Sequence, residues 1–217
     1  MNLRYKSVCH KISCKPYVAS KRRFNILSID GGGIRAFLAL VILFEMEIRF
    51  KKNICAMFDM VGGTGFGGLI AAALNTSSLV NKDKPKYSVS ELMNFFNRRQ
   101  RDIFQKEFRL ATVYSSLDKV HRKIGEKRGF LYDGNGLQES IKELFTPFRK
   151  MKDLMKPTIL TAHVFEQESN KPIVISSKNK KFQEWNISEA ILASTSSPYF
   201  FRPMSFASGP KGSDEGT

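Results

Sequence analysis

FDMVGGTGFGGLIAAAL, residues 58–74, decides how this chain folds. Phe58, Met60 and Val61 make an apolar lead-in, five glycines follow within residues 62–68, and Leu69 to Leu74 is a run of helix-forming apolar residues. That succession is a strand, a tight turn and a buried helix. Two kinds of site share the outline. One is the nucleophile elbow G-x-S-x-G, in which a serine rides a strained strand-to-helix turn and its neighbours are glycine because nothing larger fits. Here the pattern reads Gly63-Thr64-Gly65-Phe66-Gly67, with Gly65 in the place of the serine. The other is the dinucleotide fingerprint G-x-G-x-x-G, which Gly63, Gly65 and Gly68 satisfy and which would seat a phosphate at the helix N-terminus.

Upstream, Phe24 to Ile29 is a buried-strand pattern followed directly by Asp30-Gly31-Gly32-Gly33-Ile34-Arg35 and then by an apolar helix over residues 36–50. Three successive glycines leave backbone N–H groups uncovered, a geometry that suits an oxyanion or a phosphate. Two strand-turn-helix units in tandem, joined by a link at residues 51–53, predict an α/β fold with a parallel sheet and helices packed on it.

Downstream, the pattern predicts a polar loop over 75–87 and a helix over 88–108 capped by Ser90, with Arg98, Arg99, Arg101 and Lys106 on a solvated face. A turn at Tyr132-Asp133-Gly134-Asn135-Gly136-Leu137 opens a helix over 137–145. Residues 157–165 and 172–176 read as two paired strands across a turn at 169–171, and Ser188 caps a short helix ending at Ala193. Residues 1–23, with seven cationic side chains and no acidic one, form a basic lead-in; 24–203 form one domain; 204–217 are a polar tail expected to fray.

The 217 residues suffice for one domain that buries roughly 70% of the surface of its unfolded chain. The formal charge of +15 favours anionic partners, nucleic acid or anionic lipid, and its sign does not choose between them. Cys9, Cys14 and Cys55 are odd in number and lack metal-type spacing, and His10, His121 and His163 are scattered, so no metal site is expected. The cysteines point to a reducing compartment, and the basic N-terminus to an organelle transit peptide, a membrane arm or a plain lead-in. The longest apolar run, residues 36–44, is far below the roughly 20 residues that span a bilayer.

The dinucleotide reading needs an acidic residue about 20 positions beyond the glycines, at the end of a second strand. Asp83 is the nearest, and it lies in the lysine-rich NKDKPK with no strand before it. The elbow reading needs a separate glycine-rich oxyanion turn upstream, which Gly31, Gly32 and Gly33 supply. LSIDGGGIR, FDMVGGTGFGGLIAA, YDGNGL and ILASTSSPYFFRP, in this order, resemble the patatin-like phospholipase family over residues 24–203. The resemblance implies a three-layer α/β/α sandwich with a mostly parallel sheet. It also implies hydrolysis of lipid acyl esters by a serine–aspartate dyad without cofactor.

By position, the resemblance assigns the oxyanion loop to Gly31, Gly32 and Gly33, supported by Arg35, and the elbow to Gly63, Thr64 and Gly67. The nucleophile's position falls to Gly65, which has no side chain to acylate. No D-G-G or D-G-A follows PYFFRP, and Asp214 in SDEG is the nearest carboxylate. The expectation is a truncated product or a chain that has lost both dyad members: impaired or inactive, meeting an anionic lipid surface rather than nucleic acid, and intracellular, cytoplasmic or peripheral to membranes. Two alternatives stand beside it: an active hydrolase that recruits Ser194, Ser196 or Ser197, and a nucleotide-binding protein using Gly63, Gly65 and Gly68.

Overall fold

The computed structural model describes residues 23–105, 131–146, 148–165 and 172–202, with the side chains of 161–165 and of Pro172 left aside. Strand β1 (Ile26–Ile29) leads through the glycine loop into a 3-10 turn (Gly33–Ala36) and helix α1 (Phe37–Phe50). A one-turn helix α2 (Ile54–Met57) precedes strand β2 (Met60–Thr64), and helix α3 (Phe66–Leu74) follows it after the single residue Gly65. The sequence pattern gave only a link before β2; a single helical turn is too short to show a period. Next come α4 (Val89–Ile103) and α5 (Asn135–Leu144). Strands β3 (Thr158–Phe165) and β4 (Pro172–Ser176) precede α6 (Lys180–Gln183) and α7 (Ile187–Thr195).

The four strands lie in the order β1-β2-β3-β4, parallel across the first two junctions and antiparallel between β3 and β4. The expected α/β class with a mostly parallel sheet, and the β3–β4 pair, are therefore observed. All nine residues of α3 are buried, and the helix lies against Leu160 of β3 and Val61 of β2 in the main core. A helix that is apolar on every side belongs in such a place. Among the described residues only one sheet face is well covered: Leu27, Ile29, Val61 and Leu160 belong to or pack against the core, while Ile26, Ser28 and Val174 are exposed.

Helix caps differ from the sequence reading. Ser88, not Ser90, caps α4, because Glu91 stands three residues after it and closes a reciprocal capping box. Asn186, not Ser188, occupies the N-cap position of α7. On α4, Arg98 and Arg101 are exposed as expected, Arg99 is half-buried, and Arg98 and Arg99 pair at the surface with Glu143 of α5; Lys106 lies outside the described residues. Gly136 lets α4 and α5 meet at the backbone: a Cβ there would lie 2.1 Å from the Asp102 carbonyl oxygen.

Candidate functional site

The site forms where β1 and β2 end, the edge of a parallel sheet at which ligands of α/β proteins bind. Gly65 is the whole turn between β2 and α3, at φ 57° and ψ −125°. That conformation is almost confined to glycine, and a residue with a Cβ is strained in it. Its N–H donates to the buried hydroxyl of Ser194 at 2.9 Å, and its carbonyl accepts the Leu69 N–H at 3.0 Å, the first bond of α3.

The neighbouring glycines answer to space. A Cβ on Gly63 would lie 2.5 Å from the Gly67 carbonyl carbon; one on Gly67, 2.2 Å from the Ile29 carbonyl oxygen; one on Gly31, 2.7 Å from the Thr64 carbonyl oxygen. The elbow and the upstream loop are thus locked together, main chain against main chain. At Gly65 a Cβ would meet, among the described residues, only the Ser194 carbonyl oxygen, at an ordinary 3.7 Å. The turn between β2 and α3 is closely braced at these three glycines, and Gly65 itself has room for a side chain.

The upstream loop is bent by Gly32 (φ 139°) and Gly33 (φ 60°) and closed by a bond from the Arg35 N–H to the Gly32 carbonyl. Among the described residues, no hydrogen bond involves the N–H groups of Gly31, Gly32 or Gly33, although Gly31 and Gly33 are half-buried. Main-chain donors in that position are normally satisfied by water or a ligand. They border an open cleft of about 790 Å³.

Asp30, Arg35, Thr64 and Gly65 line the same cleft, and its walls are aromatic: Phe66, Phe104, Tyr132, Phe200 and Phe201. These rings form a continuous cluster, Phe66 to Phe104 at 5.3 Å, Phe104 to Tyr132 at 5.6 Å and Tyr132 to Phe201 at 5.3 Å between centroids. A volume of this size with apolar walls and a few polar groups at one end suits a small amphiphile.

The structure therefore brings together Gly31, Gly32, Gly33, Arg35, Thr64 and Gly65, as the sequence pattern placed them, with Gly63 and Gly67 as the bracing. Asp214 lies outside the described residues. The three alternative serines separate. Ser194 is buried beneath the apex as an acceptor for Gly65, Ser196 donates back to the Leu192 carbonyl, and Ser197 alone lines the cleft. Asp83, the acid for a dinucleotide site, sits in an exposed turn whose N–H donates to Asn81. Sequence reading missed the bond from Gly65 to Ser194, for which an ASTSS stretch carries no signal, and the aromatic wall, which assembles from residues up to 135 positions apart, Phe66 to Phe201.

A family model described as patatin-like phospholipase matches residues 27–212. "Patatin-like protein 2" of Oryza sativa subsp. indica is 29% identical over 187 residues, 82% of this chain and 43% of that protein. "Probable inactive patatin-like protein 9" of Arabidopsis thaliana is 26% identical over 209 residues, 87% of this chain and 48% of the relative. "Patatin-05" of Solanum tuberosum is 25% identical over 201 residues, 88% of this chain and 46% of the relative. The chain spans less than half the length of these relatives.

Proposed function

Because the chain belongs to the patatin-like phospholipase family, whose reaction needs a nucleophile at the elbow apex, we propose that it is a catalytically silent member that keeps the lipid-facing cleft. Gly65 carries the proposal. Glycine offers no oxygen to form an acyl-enzyme, and in a serine-protease triad loss of the nucleophile alone costs about 10⁶-fold in turnover. Thr64, the neighbour, closes strand β2 instead of occupying the sharp turn. A relative of this chain bears the name "Probable inactive patatin-like protein 9", which agrees with such a reading.

Labelling with a fluorophosphonate probe, read by intact mass on the full chain and on Gly65→Ser, tests it. The native chain is expected to gain no adduct. The variant is expected to gain one slowly, because the glycine loop still offers donors to the developing charge. An adduct on the native chain, mapped to Ser194, Ser196 or Ser197, would overturn the proposal. Silence from both would leave it standing and remove the oxyanion role assigned to the loop.

The same reading places the cleft against an anionic lipid surface. Ile34 and Phe200 are exposed in the lining of the cleft, Leu38 is exposed one turn along from Ile34, and the exposed Arg35 lines the cleft with them. An exposed apolar rim that carries a cation is what an interfacial contact with anionic lipid uses. No helix among the described residues is long and apolar enough to cross a membrane. Co-sedimentation with phosphatidylglycerol vesicles is expected at about 10 mM NaCl and is expected to fall steeply by about 300 mM, as screening shortens from roughly 30 Å to under 10 Å. Failure to co-sediment at the lower salt would remove the lipid-surface reading.

A further inference from the structure

The cleft has a polar end with more donors than an ester needs. An ester presents one carbonyl oxygen to an oxyanion loop; the second position at the carbonyl carbon belongs to the attacking nucleophile. Here the nucleophile's place is open among the described residues, where the nearest atom to a Cβ on Gly65 outside its chain neighbours is the Ser194 carbonyl oxygen at 3.7 Å. Beside it are the N–H groups of Gly31, Gly32 and Gly33, unbonded among the described residues. The nine-residue helix α3 also starts at this point, with no acidic residue in its first turn to offset its positive end. Among the described residues the charged members of the lining are Asp30 and Arg35, which offset one another formally and leave the main-chain donors to set the sign of the polar end. Behind it stand the rings of Phe66, Phe104, Tyr132, Phe200 and Phe201.

Resting on the reading of the site as catalytically silent, we propose that its ligand is a free long-chain carboxylate, the anion held at the Gly31–Gly33 loop in the space the nucleophile would take and the alkyl chain laid along the aromatic wall. A carboxylate has two acceptor oxygens for this donor set where an ester carbonyl has one. Hydrogen bonds to an ionised acceptor are roughly twice as strong as those to a neutral one. The site of a hydrolase has to release such a product, whereas a site that makes no product can hold it.

Isothermal titration of the full chain with laurate, 1-dodecanol and methyl laurate, each below its micellar or solubility limit, tests the assignment. Laurate is expected to bind at one per chain and about tenfold more tightly than either neutral analogue. Two substitutions at exposed positions of the mouth locate the site without disturbing the core. Ile34→Glu, which adds a like charge, and Arg35→Gln, which removes a cation, are expected to weaken laurate severalfold more than they weaken dodecanol. Equal affinity for laurate and dodecanol, or a laurate preference that neither substitution alters, would overturn the proposal. Absence of binding by all three ligands would overturn it as well while the native chain stays silent to fluorophosphonate, leaving the catalytic reading intact. A fluorophosphonate adduct on the native chain would instead remove the reading beneath both.

Discussion

Gly67→Ala is expected to destabilise the chain by about 3–5 kcal/mol, and Gly65→Ala, two residues away, by only about 1–2 kcal/mol. The two glycines do different work in the same turn. At Gly67 the added methyl would stand 2.2 Å from the Ile29 carbonyl oxygen and 2.6 Å from that of Asp30. Both atoms are main chain at the end of β1, so nothing can swing aside. Either α3 lifts off the sheet or β1 moves, and α3 is buried along its entire length. Overpacking that forces backbone displacement lies at the costly end of its range. At Gly65 the methyl finds open space and meets only the strain of φ 57°. Urea midpoints followed by circular dichroism give the comparison. Equal midpoints for the two variants would mean that the close approach of α3 to β1 is wrong.

The second large effect is expected at Asn75, just beyond α3 and fully buried. Its Nδ2 donates to the Lys156 carbonyl at 2.9 Å and to Thr158 Oγ1 at 2.6 Å, while its Oδ1 accepts the Lys156 N–H at 3.1 Å. Its own carbonyl accepts the Met155 N–H at 3.0 Å. One amide thus ties the end of the elbow helix to the entry of β3, 81 residues on. Alanine would strand the Lys156 N–H and weaken what its carbonyl and Thr158 receive, at about 1–3 kcal/mol for each buried group left unmatched. A loss of about 3–4 kcal/mol is expected for Asn75→Ala, against less than about 0.5 for Asn94→Ala on the exposed side of α4. A loss below about 1 kcal/mol at Asn75 would show that water replaces the amide.

Much of this was legible in the residues. The two strand-turn-helix units announced themselves because glycine runs punctuate apolar runs sharply, and because α3 is apolar at every position outside its two glycines. Gly31–Gly33 and Gly65 fall between strand and helix, as the pattern of glycines predicts. The cap of α4 differs for a local reason: Ser88 and Ser90 both stand at the start of the helix, and of these two Ser88 has a glutamate three residues on. The role of Ser194 could not be read at all. It depends on a hydroxyl meeting an N–H 129 residues away, which only the packing of α7 on α3 arranges. The aromatic wall is the same kind of feature, since its members come from α3, the residue that ends α4 and the segments around Tyr132 and Phe200.

The bracing of the elbow bears on how such a chain changes over generations. Gly31, Gly63 and Gly67 are held by main-chain contacts that any folded descendant must keep, whether or not it turns over a substrate. The apex is the position where selection for folding pulls the other way, because a glycine at φ 57° is relieved of the strain a serine bears there. Once the reaction ceases to be selected, drift at that one position runs downhill in free energy while its neighbours stay fixed. A lineage can therefore lose its chemistry in a single step and go on displaying the surrounding glycines indefinitely, so their spacing records ancestry and the apex residue records present use.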